Sequence, residues 1–110
     1  MKTKLRRKRW RPDPTMDRKE CVAEAELAAE MAARAATAAI EWSRRTGVGD
    51  DDAAEAVRAA MRARIAFEHA SAAGSDEVAR IDTAMAWAAT ETALEADQRV
   101  VEAIARDLAD

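Results

Sequence analysis

Apolar positions along this chain recur with the period of a helix. Val22, Ala25, Ala29, Ala32, Ala36 and Ala39 or Ile40 fall on one stripe, and Leu27, Met31, Ala35, Ala38 and Trp42 fall on its neighbour. A broad, mostly small apolar face on one long helix is the expectation. Asp13 followed by Pro14 reads as its start, because an Asp side chain accepts orphan N–H groups and proline is preset for a first helical turn. Arg44 and Arg45 suit its C-terminal end, and Gly47 its stop.

A second run begins after Gly49, where Asp50, Asp51 and Asp52 complement the positive end of a helix dipole. Val57, Met61 and Ile65 follow at four-residue steps, with Ala56, Ala60, Ala63 and Phe67 alongside, and Gly74 closes the run. Ser75 then caps a third helix opened by Asp76 and Glu77. It carries Val78, Ile81, Met85 and Ala88 on one stripe, and Trp87, Leu94, Val101 and Leu108 at seven-residue spacing on another. The pattern predicts helices over 14–45, 51–73 and 76–109. Acid-to-Arg pairs four residues apart, such as Glu30 with Arg34 and Glu95 with Arg99, agree with the helical phase.

Connections this short favour antiparallel neighbours, so the expected fold is all-α, an up-down-up three-helix array over 13–110. At 1.5 Å per residue the helices would measure roughly 48, 35 and 50 Å. That mismatch leaves the end of the third without a partner inside one chain. Val100, Val101, Ile104 and Leu108 would then form an apolar stub, the expected contact with a second copy or another protein through helix faces.

Composition changes the picture of the core. Of 110 residues, 49% are hydrophobic, but 30 are Ala, while Leu, Ile, Val and Phe together number only 15. The core must be thin and lined with methyl groups, which makes association attractive for so small a domain. No apolar stretch is long enough to span a membrane and no signal-type apolar segment follows the basic start, so a cytoplasmic chain is expected. The Ala, Arg and Asp-rich vocabulary, with only four Lys, points to a bacterial or phage source.

Charge is segregated. Lys2, Lys4, Arg6, Arg7, Lys8, Arg9 and Arg11 give the first eleven residues seven cations and no acid, although the whole chain is −3. Pro12 and Pro14 mark the seam between this arm, residues 1–12, and the acidic remainder. Arg and Lys neutralise phosphates with release of counterions, and Trp10 is placed to stack on an exposed base. The arm therefore reads as a nucleic-acid-binding element of low sequence specificity, since it offers no recognition helix. The alternative is an assembly subunit or regulator whose arm grips an acidic protein surface.

Candidate chemistry is sparse. His69 is the only histidine, and its neighbour Glu68 points about 100° away on a helix, so the two cannot converge on one atom. The Glu-x-x-His spacing of carboxylate-bridged metal bundles is absent, because Ala66 stands three residues before His69. Gly47, Gly49 and Gly74 sit at helix boundaries and build no phosphate loop. Cys21 lacks a CxxC partner and reads as a packing residue, with an intermolecular disulfide as the alternative. Arg58, Arg62 and Arg64 place cations on one helix, read as a solvated face before an anion site. No metal, cofactor, small-molecule substrate or catalytic residue is expected, and a small all-helical enzyme is supported by size and class alone.

Overall fold

A computed structural model describes residues 10–110 of the chain as three helices, α1 (Arg18–Thr46), α2 (Asp50–Ser71) and α3 (Asp76–Ala109), with no strand among the described residues. Each helix packs against the other two. α1 and α3 run parallel and α2 runs against both, so the array is the up-down-up bundle that the short connections require.

α1 begins later than the Asp13-Pro14 pair suggests. Asp17 is its N-cap: its carboxylate accepts the Glu20 backbone N–H at 2.8 Å, and the Glu20 side chain reaches back to the Asp17 N–H at 3.3 Å. This reciprocal box satisfies two orphan donors at once. Asp13 builds a turn instead, accepting from the backbone N–H and the hydroxyl of Thr15. Those two bonds hold its carboxyl below the usual carboxylate range.

Two left-handed glycines make the next corner. Gly47 (φ 71°) ends α1 with its N–H donating to Ser43 O, and Gly49 (φ 84°) precedes α2. A Cβ on Gly49 would lie 3.2 Å from Val100 Cγ1, so the turn folds tightly back onto α3. Ser75 opens α3 by accepting the Val78 N–H.

The helices meet through alanine. Ala32, Ala35, Ala59, Ala63, Ala89 and Ala93 form the middle layer, and Ala25, Ala28, Ala66, Ala70 and Ala86 the layer nearer the α2–α3 corner. A methyl group costs no rotamer freedom and lets two helix backbones approach closely, so a dense interior forms from little apolar area. The larger residues flank this seam. On α2 the stripe expected to face inward stands at the margin or outside: Val57 is half-buried, Met61 is 60% exposed and Ile65 51%.

The expected stub at the end of α3 is corrected in the same way. Val100 is completely buried against Ala36, Ala39, Ala53 and Ala56, and Ile104 packs on that cluster. Only Val101 and Leu108 remain outside, the latter 81% exposed. The reason is the Gly47–Gly49 turn, which brings the start of α2 against Val100 where a bare helix end was expected.

Candidate nucleic-acid interface

Lys2, Lys4, Arg6, Arg7, Lys8 and Arg9, the bulk of the predicted phosphate-binding set, lie outside the described residues. What is described is the strap that carries them, residues 10–17, and its seating on the bundle.

Three fixings hold the strap and the start of α1 in place against α3 and the α2–α3 corner. Met16 packs its side chain against Cys21, Ala73 and Ala79, closing the end of the core, and its carbonyl accepts a hydrogen bond from Arg80 Nε at 2.9 Å. Around the corner, Arg18 donates from its backbone to Asp76 Oδ1 and from its guanidinium to the Ala73 carbonyl, both at 2.9 Å. Farther along α3, the Trp10 ring stacks on Trp87 with centroids 6.1 Å apart and planes 25° from parallel. The Trp87 indole N–H donates to Glu24 Oε2 on α1 at 3.2 Å, which orients the platform that Trp10 uses.

This seating gives Trp10 a role within the chain beside the one expected from sequence. One face of its ring is engaged within the chain, and the residue is half-buried, so it anchors the strap. Arg11, next to it, is exposed. Because Met16 lies level with Arg80 and Trp10 with Trp87, the strap runs along the flank of the bundle and Trp10 sits about three helical turns from the α2–α3 corner. Trp87 and Arg80 were not identified as strap-holding residues from sequence. A tryptophan on a seven-residue stripe carries no sign of whether it meets a neighbouring helix or a segment folded back beside it.

The α1–α3 seam beneath the strap is polar where it needs to be. Thr83 Oγ1 lies within hydrogen-bond distance of the Cys21 and Ala79 carbonyls, and Thr90 Oγ1 of the Ala28 and Ala86 carbonyls. Each hydroxyl thus joins its own helix to α1 and leaves no buried donor unmet. Asp97 occupies the next position at this seven-residue spacing. Its Oδ1 is buried without a hydrogen-bond partner, and burial pushes its carboxyl above the ordinary carboxylate range.

The remaining candidates are placed as follows. Cys21 is fully buried, and that burial pushes its thiol pKa up, so it is a packing residue and is inaccessible to the intermolecular disulfide considered from sequence. His69 is exposed on α2, in a groove with Arg62. Arg64 pairs with Glu68 and lies 5.3 Å from the centre of the Phe67 ring. Among the described residues, no group of three His, Cys, Asp or Glu side chains is arranged to hold a metal, and no helix is long and apolar enough to cross a membrane.

Comparison with protein-family models, with curated proteins and with solved structures gave no match to this chain.

Proposed function

We propose that the chain is a non-enzymatic nucleic-acid-binding accessory protein. Its Arg-rich arm, residues 2–11, engages phosphates, while the acidic helical body carries the arm and makes protein contacts. The observation that supports this most is the division of charge. Seven cations and no acid precede Pro12, and all 21 acids follow it. Two features of the described strap fit the same role: Arg11 is exposed, and the Trp10–Trp87 stack holds the base of the arm on the body. An acidic body repels polyanions, so nucleic acid meets the arm and is kept off the helices.

Specificity on this reading is low, because phosphate contacts position a protein without reading bases. Single-stranded RNA and duplex DNA should both bind, RNA being the expected partner where the arm meets unpaired bases. The test compares the full chain with a variant in which all seven Lys and Arg of residues 1–11 are Gln, which keeps Trp10 and the strap. Fluorescence anisotropy of labelled single-stranded RNA and duplex DNA at low ionic strength should show binding by the first and none by the second. Absence of binding by the full chain refutes the proposal and turns attention to an acidic protein surface as the partner of the arm.

A further inference from the structure

The strap covers only part of the groove in which it lies. On α3, Trp87, Leu94, Val101 and Leu108 recur at seven-residue spacing, and Trp10 stacks on the first of them. Beyond Trp87 the stripe emerges by degrees: Leu94 is half-buried, Val101 is 48% exposed and Leu108 81%. The facing bank on α1 is marked by Glu24, which bonds Trp87. Met31, Ala38 and Trp42 follow Glu24 at spacings that return to nearly its direction on a helix. Thr83 reaches Cys21 and Thr90 reaches Ala28, both 62 residues back, so Trp42 stands level with Ile104, between Val101 and Leu108. Trp42 is itself 46% exposed. Among the described residues, the α1–α3 groove is therefore filled as far as Trp87 and is apolar and open from there to the end of α3.

Charge and length select the occupant. Glu91 stands one turn after Trp87 on the strap side of α3, and Glu102 returns to within about 20° of its direction. Glu95 lies between them in height, about 40° farther out. None of the three is in an ion pair with another described residue. The open half of the groove thus has an apolar floor and an acidic edge, and calls for a segment that carries cations and a little apolar surface. Residues 1–9, joined to the strap at Trp10, hold six of the seven arm cations together with Leu5. Nine residues reach at most about 30 Å. From Trp87 to Ala109, α3 rises about 33 Å, so the segment is long enough to run the open groove and no longer.

We propose that the open half of the α1–α3 groove is the docking site of this chain's own residues 1–9 when no nucleic acid is bound. Leu5, five residues from Trp10, comes within about 17 Å of it. Leu94 and Val101 stand about 10 and 21 Å past Trp87, so Leu5 falls between them as the apolar contact. The cations on either side of Leu5 meet Glu91, Glu95 and Glu102. Because the segment is tethered at Trp10, docking is intramolecular and requires no second molecule. Its ion pairs are exposed, so the contact is weak and yields to salt. The consequence rests on the proposed role of the arm: phosphates and the groove compete for the same cations, and the body holds the arm back until a polyanion displaces it. The contact itself is read without nucleic acid.

Paramagnetic relaxation enhancement in the full chain tests it. Cys21 is fully buried, so a nitroxide attached through Thr3→Cys labels the arm alone. At low ionic strength the Trp42 indole N–H and the Val101 backbone N–H should lose most of their intensity, while Met61 and Ile65 on α2 keep theirs. High salt should restore the lost signals, and so should the triple variant Glu91→Gln, Glu95→Gln and Glu102→Gln. A control triple of equal charge, Glu26→Gln, Glu30→Gln and Glu68→Gln, is exposed elsewhere on the bundle and should leave the loss in place. Full intensity at Trp42 and Val101 in the wild-type sequence overturns the proposal and leaves the groove to another protein. A loss that the first triple does not reverse, or that the control reverses equally, overturns it too. Single-stranded RNA should release the arm, and the first triple should bind RNA about threefold more tightly than the control at low ionic strength. RNA that binds while the loss persists overturns the competition. If RNA does not bind at all, the reading of the arm falls, and the nitroxide measurement without RNA still decides the docking.

Discussion

The two long sides of α3 are built on opposite terms. Toward α1, the helix is satisfied within the chain: Thr83 and Thr90 reach carbonyls of α1, Trp87 bonds Glu24, and residues 10–17 fold back over the seam with Trp10 stacked on Trp87. Toward α2, the inner contact is just as dense, through Ala59, Ala63, Ala66, Ala89 and Ala93, but the outer edge is left open and apolar. Small residues do the joining on both sides. The large ones are assigned by what comes next to the helix pair, a strap on one side and an uncovered groove on the other.

The comparison predicts an inversion of the usual ranking of substitutions. Ala63→Leu should be the most damaging change, destabilising by about 3 kcal/mol, because the added methylenes force apart helices held at alanine distance. Ile65→Ala, a change of the same volume in the opposite sense, should cost about 1 kcal/mol or less in the monomer, since half of that side chain is already in water. Chemical denaturation at concentrations that keep the chain monomeric measures both. Equal costs would show that α2 has its large residues in the core after all.

Breaking the strap side comes next. Trp87→Ala removes the platform for Trp10 and the bond to Glu24 and should cost about 2 kcal/mol, whereas Trp10→Ala should cost about 1 kcal/mol. Quenching of tryptophan emission by acrylamide gives a second reading: Trp87 should become more accessible in the Trp10→Ala variant. Unchanged accessibility would mean that the ring stack is not populated.

The smallest expected effect has a pH signature. Asp97 stands one heptad beyond Thr90, where a hydroxyl would continue the pattern, yet its carboxyl is raised by burial and one oxygen lacks a partner. A raised pKa in the folded state means that the fold binds this proton more tightly than the unfolded chain does. The associated stability is full below the ordinary carboxylate pKa and is lost as pH rises through the raised value. Asp97→Thr should therefore gain about 1 kcal/mol at pH 7. The gain should shrink toward acid pH, which paired thermal melts from pH 3 to 8 would show as converging curves.

How much of this was legible depended on the kind of signal. The three helices and their order followed from punctuation that acts locally, with Gly47, Gly49 and Ser75 each performing the predicted role. The start of α1 was misplaced because two start signals compete within five residues. The Asp17–Glu20 box prevails, and Asp13 spends its carboxylate on Thr15. Periodicity gave the helical phase but not the depth. Val57, Met61 and Ile65 made the stronger stripe on α2, yet Ala56, Ala59 and Ala63 are the residues that are buried, because close approach favours the smaller side chain. Val100 was expected at an interface and is core, owing to a turn that returns from 50 residues away. Trp10 could be recognised as special, but its partner Trp87 could not be foreseen, since a contact across 77 residues leaves no trace in local spacing.

The central claim is that phosphates are met by the arm and not by the helices. Its most direct test is the salt dependence of binding to duplex DNA by the full chain. If about five phosphates are engaged, log K should fall with log salt at a slope near −4.5. The variant with seven Gln should show no measurable binding at any salt. A shallow slope, or binding that survives loss of the seven cations, would place the contact on the bundle and contradict the account.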